Sequence, residues 1–220
     1  AAKAVWQICL QAVLLGIVAL SAHAATGTPP LVDAAKNDNL TVVRRLIKER
    51  ADVNATANDG STALLWAAFN SNVDITKALL AAGASVDAAN RYGVNPLLQA
   101  SRNGDADEMR VLLDAGAQPT RWHPEGETPL MAAARTGHVD AVKLLLERGS
   151  FVNAQDSYQE ETALMWAAAE GHAEVIKVLL AAGADANLKG HVSLLTERKN
   201  ADHPSGGFTA LMFAARNGHS

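Results

Sequence analysis

One apolar phrase returns along this 220-residue chain at a nearly constant step. It reads TALLWAA from Thr62, NPLLQAS from Asn95, TPLMAAA from Thr128, TALMWAA from Thr162 and TALMFAA from Thr209. Its first leucine falls at Leu64, Leu97, Leu130, Leu164 and Leu211, so the steps are 33, 33, 34 and 47 residues. A second series, Gly83, Gly116, Gly149 and Gly183, closes a Leu-Leu segment in the same register, as in KALLAAGASVD and KVLLAAGADAN. A short period built from two helices and a turn means that no single unit buries its apolar face alone, so neighbours must stack to make a core. Hydrophobic residues make up 49% of the chain and aromatic residues only 5%, which makes that core one of Ala and Leu and lets helices approach closely.

The unit around Leu130 shows the local logic. Gly126 makes the entering turn, Thr128 caps a first helix and Pro129 occupies its first turn, where a missing N–H is harmless. Leu130, Ala133 and Ala134 supply its buried face. Gly137-His138 interrupts the chain, and Val139 to Glu147 reads as a second helix with Val142, Leu145 and Leu146 inward. Gly149 ends it, and Phe151 to Ser157 leads onward as an extended finger.

These residues resemble the ankyrin repeat, with its T-P-L-H-x-A-A start, G-H turn, L-L-L run and G-A-D-V-N end. The resemblance covers roughly Pro30 to Ser220 and implies an all-α solenoid of stacked helix-turn-helix units with β-hairpin or finger loops. Its histidine is replaced by Leu65, Leu98, Met131, Met165 and Met212, which exchanges a turn-fixing hydrogen bond for apolar packing. The domain reading is a capping repeat at 30–56, full repeats at 57–89, 90–122, 123–155 and 156–188, an inserted loop at 189–205 and a truncated repeat at 206–220. The capping repeat carries Asp33 and Arg45 where later units are mostly apolar, and Arg50 in place of the closing glycine, so one of its faces meets water.

Residues 1–24 form a separate object. Ile8 to Leu20 is mostly apolar, Lys3 precedes it, and Ala22-His23-Ala24 has the small residues of a cleavage site. The segment reads as a secretory signal peptide cut after Ala24, with an uncleaved inner-membrane anchor as the alternative. Cys9 is the only cysteine, so a cleaved chain has none and forms no disulfide. The expected location is periplasmic or secreted. The truncated last repeat leads to the expectation that the natural chain continues with further repeats and a polar cap.

No motif calls for catalysis, a metal or a cofactor. His138, His172 and His219 recur once per unit in the G-H turn, too far apart to share a ligand. The acidic run Asp105, Asp107 and Glu108 reads as a solvated helix start. Trp66, Trp166 and Phe213 share one position after the repeated leucine and read as core between units. A net charge of −4 argues against a nucleic-acid partner. The membrane enters only through the N-terminal segment, if it is uncleaved.

The resemblance implies a protein-protein interaction module or scaffold with no catalysis of its own, working through its concave face and fingers. The alternative is the targeting arm of an enzyme or toxin whose catalytic domain lies further along. Carried over position by position, the partner-facing residues are Asn58, Asp59, Phe69, Arg91, Tyr92, Arg102, Trp122, Glu125, Arg135, Tyr158 and Phe208. Asn70, Asn103, Glu127, Gln159 and Glu161 fall in the same set of positions.

Overall fold

The computed structural model describes residues 27–120, 126–193 and 205–219. The predicted signal, most of the inserted loop, Trp122 and Glu125 lie outside them. The helices come in pairs: α1 Pro30–Lys36 with α2 Leu40–Lys48, α3 Ala63–Phe69 with α4 Val73–Ala81, and α5 Pro96–Asn103 with α6 Ala106–Asp114. Then follow α7 Pro129–Thr136 with α8 Val139–Glu147, α9 Ala163–Ala169 with α10 Ala173–Ala181, and α11 Ala210–Arg216. The array is the all-α solenoid of stacked helix pairs that the resemblance implies. At the base of the inserted loop β1, Val192–Ser193, pairs antiparallel with β2, Ser205–Gly206. The other strand-like pairings among the described residues are single bridges, Thr56 with Thr62 and Gln155 with Thr162.

The first helices α3, α5, α7 and α9 start at a side-chain cap where the repeated phrase begins. Thr62, Asn95, Thr128 and Thr162 accept from the backbone N–H groups of Leu65, Leu98, Met131 and Met165. At Thr128 the cap is reciprocal, because its own N–H donates to the Met131 sulfur at 3.4 Å. The thioether therefore offers a weak acceptor where the family carries histidine. The second helices α4, α6, α8 and α10 end in left-handed glycines, and α2 ends at Arg50 (φ 61°) in the same conformation. Gly149 (φ 88°) donates to the Leu146 carbonyl, and Ser150 donates to that of Leu145.

Two layers result, first helices against first helices and second against second, and the first are pressed closer together. Ala67, Ala68, Ala100, Ala133, Ala134, Ala167 and Ala168 are buried in the first layer, where small side chains allow close approach. Ile75, Leu79, Met109, Leu112, Leu145 and Leu179 hold the second layer further apart. A stack with one tight and one wide layer bends toward the tight one, so the first helices and the fingers face the concave side.

Two expectations about burial are corrected here. In α8 the buried set is Ala141, Val142, Leu144 and Leu145, while Leu146 is half-buried. A second helix packs on its own first helix and on both neighbours, which widens and rotates its apolar stripe. Glu108 is fully buried, not solvated. Asp105 caps α6 through the N–H groups of Asp107 and Glu108, and Thr76 donates to Glu108 Oε1 at 2.5 Å. The other oxygen, Oε2, is buried without a hydrogen-bond partner among the described residues. Burial pushes the Glu108 carboxyl up to about 7, with Thr76 and Lys77 pulling it back and Asp105 adding to the rise.

The G-H turn also does more than order its own hairpin. His172 Nε2 lies 2.9 Å from the Arg135 carbonyl of the preceding unit. Its ring rests on Gly137 (φ 81°), where an added Cβ would lie 2.6 Å from the imidazole. Asparagines tie other units together: Asn70 Nδ2 donates to the Ala35 and Lys36 carbonyls, and Asn103 Nδ2 to those of Ala68 and Phe69. Both had been expected to face a partner, and both are used between repeats. Among the described residues no helix is long and apolar enough to cross a membrane.

Candidate functional site

The concave side carries two adjacent columns of side chains. Seven residues after each cap the chain places Phe69, Arg102, Arg135, Ala169 and Arg216, with Lys36 in the capping unit. One residue before each cap it places Ser61, Val94, Glu127, Glu161 and Phe208. Trp66, Trp166 and Phe213 lie between neighbouring units of the first column. They are half-buried against the core rather than within it, which corrects the core reading. The Lys36 ammonium lies 5.0 Å from the Trp66 ring centre and the Arg135 guanidinium 5.4 Å from that of Trp166. A cation of one unit thus shields an aromatic face of the next. The position after the repeated leucine must be wide and flat to span two units, yet it borders the groove, so one edge stays wet.

Arg102, Arg135 and Tyr158 converge on a cleft of about 370 Å³, together with Glu127, Met131, Asp156, Gln159, Glu161 and Trp166. Glu127 is clamped from two units: Arg102 Nη2 pairs with its Oε2, and Arg135 Nη2 lies 3.8 Å from its Oε1. Arg102 Nε is buried without a hydrogen-bond partner among the described residues. The finger is shaped by Asp156, whose Oδ1 accepts from the Tyr158 and Gln159 N–H groups and whose Oδ2 accepts from Glu161 N–H. That turn carries the one-residue insertion and leaves Tyr158 77% exposed at the cleft mouth. Burial pushes the Glu161 carboxyl up, the neighbouring Asp156 charge adds to this, and Arg216 opposes it.

The remaining predicted residues that are described lie elsewhere along the same side. Asn58 is exposed on its finger, while Asp59 holds the turn by accepting from the N–H and hydroxyl of Ser61, both at 2.9 Å. Those bonds, led by the Ser61 backbone N–H, lower the Asp59 pKa. Arg91 donates its backbone N–H to the Asp59 carbonyl and leaves its side chain exposed. Tyr92 is 68% exposed, and Phe69 is 55% exposed with its ring edge-on to Trp66. Phe208 packs against Phe213 at 5.5 Å beneath the Arg216 guanidinium. A larger depression on the outer side, between α6 and α8, is lined by Asp105, Asp107, Arg110, Asp140, Lys143 and Glu147. It carries no aromatic side chain and alternates in sign, as a solvated surface does.

Position-by-position transfer missed Trp166 as part of the cleft. A signal existed in the sequence, because the same position holds Ala132 and Gln99 in other units. A site that tolerates Gln is not sealed in a core. Among the described residues no group of three or more His, Cys, Asp or Glu side chains could hold a metal ion.

A family model described as ankyrin repeats (three copies) matches residues 31–123 and again residues 120–190. No curated protein matches the chain. Ankyrin repeats generally serve as protein-protein interaction modules and are typically non-catalytic. The match spans most of the chain and coincides with the helix pairs, caps and closing glycines described above, so the protein belongs to the ankyrin repeat family.

Proposed function

We propose that this chain is a binding module that seats a segment of another protein in its concave groove and against its finger tips. The observation that carries the reading is the cleft between Arg102, Arg135, Tyr158 and Trp166, flanked along the same side by the exposed rings of Phe69 and Tyr92. Tyr, Trp and Arg are the side chains that dominate protein hot spots, because they combine large contact area with a polar or charged end. An exposed aromatic on a rigid finger loses little conformational freedom when it is covered.

Tyr92→Ala and Tyr158→Ala should each weaken binding of a partner isolated from the native cells by at least ~1 kcal/mol, with thermal unfolding unchanged. Lys143→Ala on the outer side should leave affinity as it was. Calorimetry on the three variants decides: equal weakening by Lys143→Ala, or none by either tyrosine change, rejects the groove.

The same reading places the meeting outside the cytoplasm, in the periplasm or beyond it, because residues 1–24 have the layout of an export signal. Sequencing the mature N-terminus should give Ala25. A mature chain that starts earlier and retains Ile8 to Leu20 would instead support a membrane-held scaffold.

A further inference from the structure

The two carboxylates of the finger column, Glu127 and Glu161, occupy equivalent places in successive units but have unequal surroundings. Glu127 is held by the arginine of the preceding unit, Arg102, and by that of its own unit, Arg135. For Glu161 the preceding arginine is Arg135, whose guanidinium lies over Trp166 and reaches back to Glu127. Its own unit offers Ala169, a methyl group where the cation should stand. Arg216 of the following unit rests over Phe208, 5.8 Å from the ring centre, and acts on Glu161 only through space, with no ion pair between the two among the described residues. Among the described residues, no hydrogen bond or ion pair therefore ties the Glu161 carboxylate. It sits half-buried in the cleft beside Asp156, whose oxygens are engaged by backbone N–H groups, and beside the rings of Tyr158 and Trp166.

We propose that Glu161 receives an arginine side chain of the bound protein, whose guanidinium takes up toward Glu161 the place that Arg135 holds toward Glu127. This deepens the groove reading and rests on it. A carboxylate partly removed from water, with Arg216 acting on it only through space and no cation bonded to it, keeps a desolvation cost that an incoming guanidinium recovers. The cleft favours arginine over lysine. A planar guanidinium can donate two parallel bonds to the carboxylate and still lie flat on an aromatic face, which a tetrahedral ammonium cannot do. Tyr158, 77% exposed at the mouth, supplies such a face.

The test uses three capped tripeptides, Gly-Arg-Gly, Gly-Lys-Gly and Gly-citrulline-Gly, titrated into the full chain. The readout is the Trp166 indole N–H resonance, assigned with Trp166→Phe. The arginine peptide should shift that resonance saturably and bind at least about tenfold more tightly than the citrulline peptide, which keeps the shape and loses the charge. Glu161→Gln should reduce arginine-peptide affinity by about tenfold. Ala169→Arg, which supplies an internal guanidinium, should abolish the response without removing any core group. Equal binding of citrulline or lysine, or an undiminished response in either variant, would overturn the proposal. Loss of partner affinity in Tyr158→Ala together with no arginine-dependent shift would sink the arginine and keep the groove. Unchanged partner affinity in both tyrosine variants would sink the groove, whatever the peptides do.

Discussion

Leu130→Ala should destabilise the array by about 2–5 kcal/mol, the range for emptying a leucine site in a close-packed core. Leu130 is 1% exposed and lies in α7, whose neighbours α5 and α9 press on it from both sides. Its place is fixed by backbone caps on either hand, so the layers cannot slide inward to fill the void. The loss also spreads, because each unit of such an array is held by its neighbours rather than by a separate core. Phe151→Ala is the control. That ring is larger but 71% exposed on its finger, and its removal should change stability by less than about 0.5 kcal/mol. Urea titrations followed by circular dichroism would check both. Comparable losses in the two variants would mean that the cadence of leucines does not mark the core.

Glu108→Gln should alter how stability depends on pH. A carboxyl whose value is raised on folding, here from 4.5 to about 7, binds its proton more tightly in the folded chain. Stability is then highest below the unfolded value and falls as pH rises between the two values. The wild-type protein should thus lose about 2–3 kcal/mol between pH 5 and pH 8 relative to Glu108→Gln, which carries no titrating group there. Taking the difference between the two proteins at each pH cancels every other group. A difference that stays constant across this range would show that Glu108 is ionised or hydrated in the folded state. The orphaned Oε2 beside Thr76 argues against both.

Most of the frame was legible because it is written in residues whose conformational roles are local. Thr128, Pro129 and Gly149 each act within a few bonds of their own backbone, so their spacing alone sets helix starts and stops. Glu108 shows what local reading misses. Next to Asp105 and Asp107 it looks like part of a solvated helix start, but its equivalents in other units are Ile75, Ala141 and Val175. Aligning the units, rather than reading along the chain, reveals a charge in an apolar column. The ties made by Asn70, Asn103 and His172 span about one repeat length, and no short window contains both ends. The groove was only half legible for a similar reason. Arg102 and Arg135 were identified from their positions, but their joint hold on Glu127, and its absence at Glu161, depend on which neighbour each arginine leans toward.

The claim that most needs direct measurement is that a protein partner covers the concave side. On a Cys9→Ser background, Tyr158→Cys and Lys143→Cys place one thiol in the groove and one on the outer side. Maleimide labelling rates are then compared with and without envelope extract from the native cells. The groove thiol should be slowed by about tenfold or more while the outer thiol keeps its rate, since a seated segment excludes reagent only where it lies. Protection of the outer thiol alone, or of neither, would contradict the assignment.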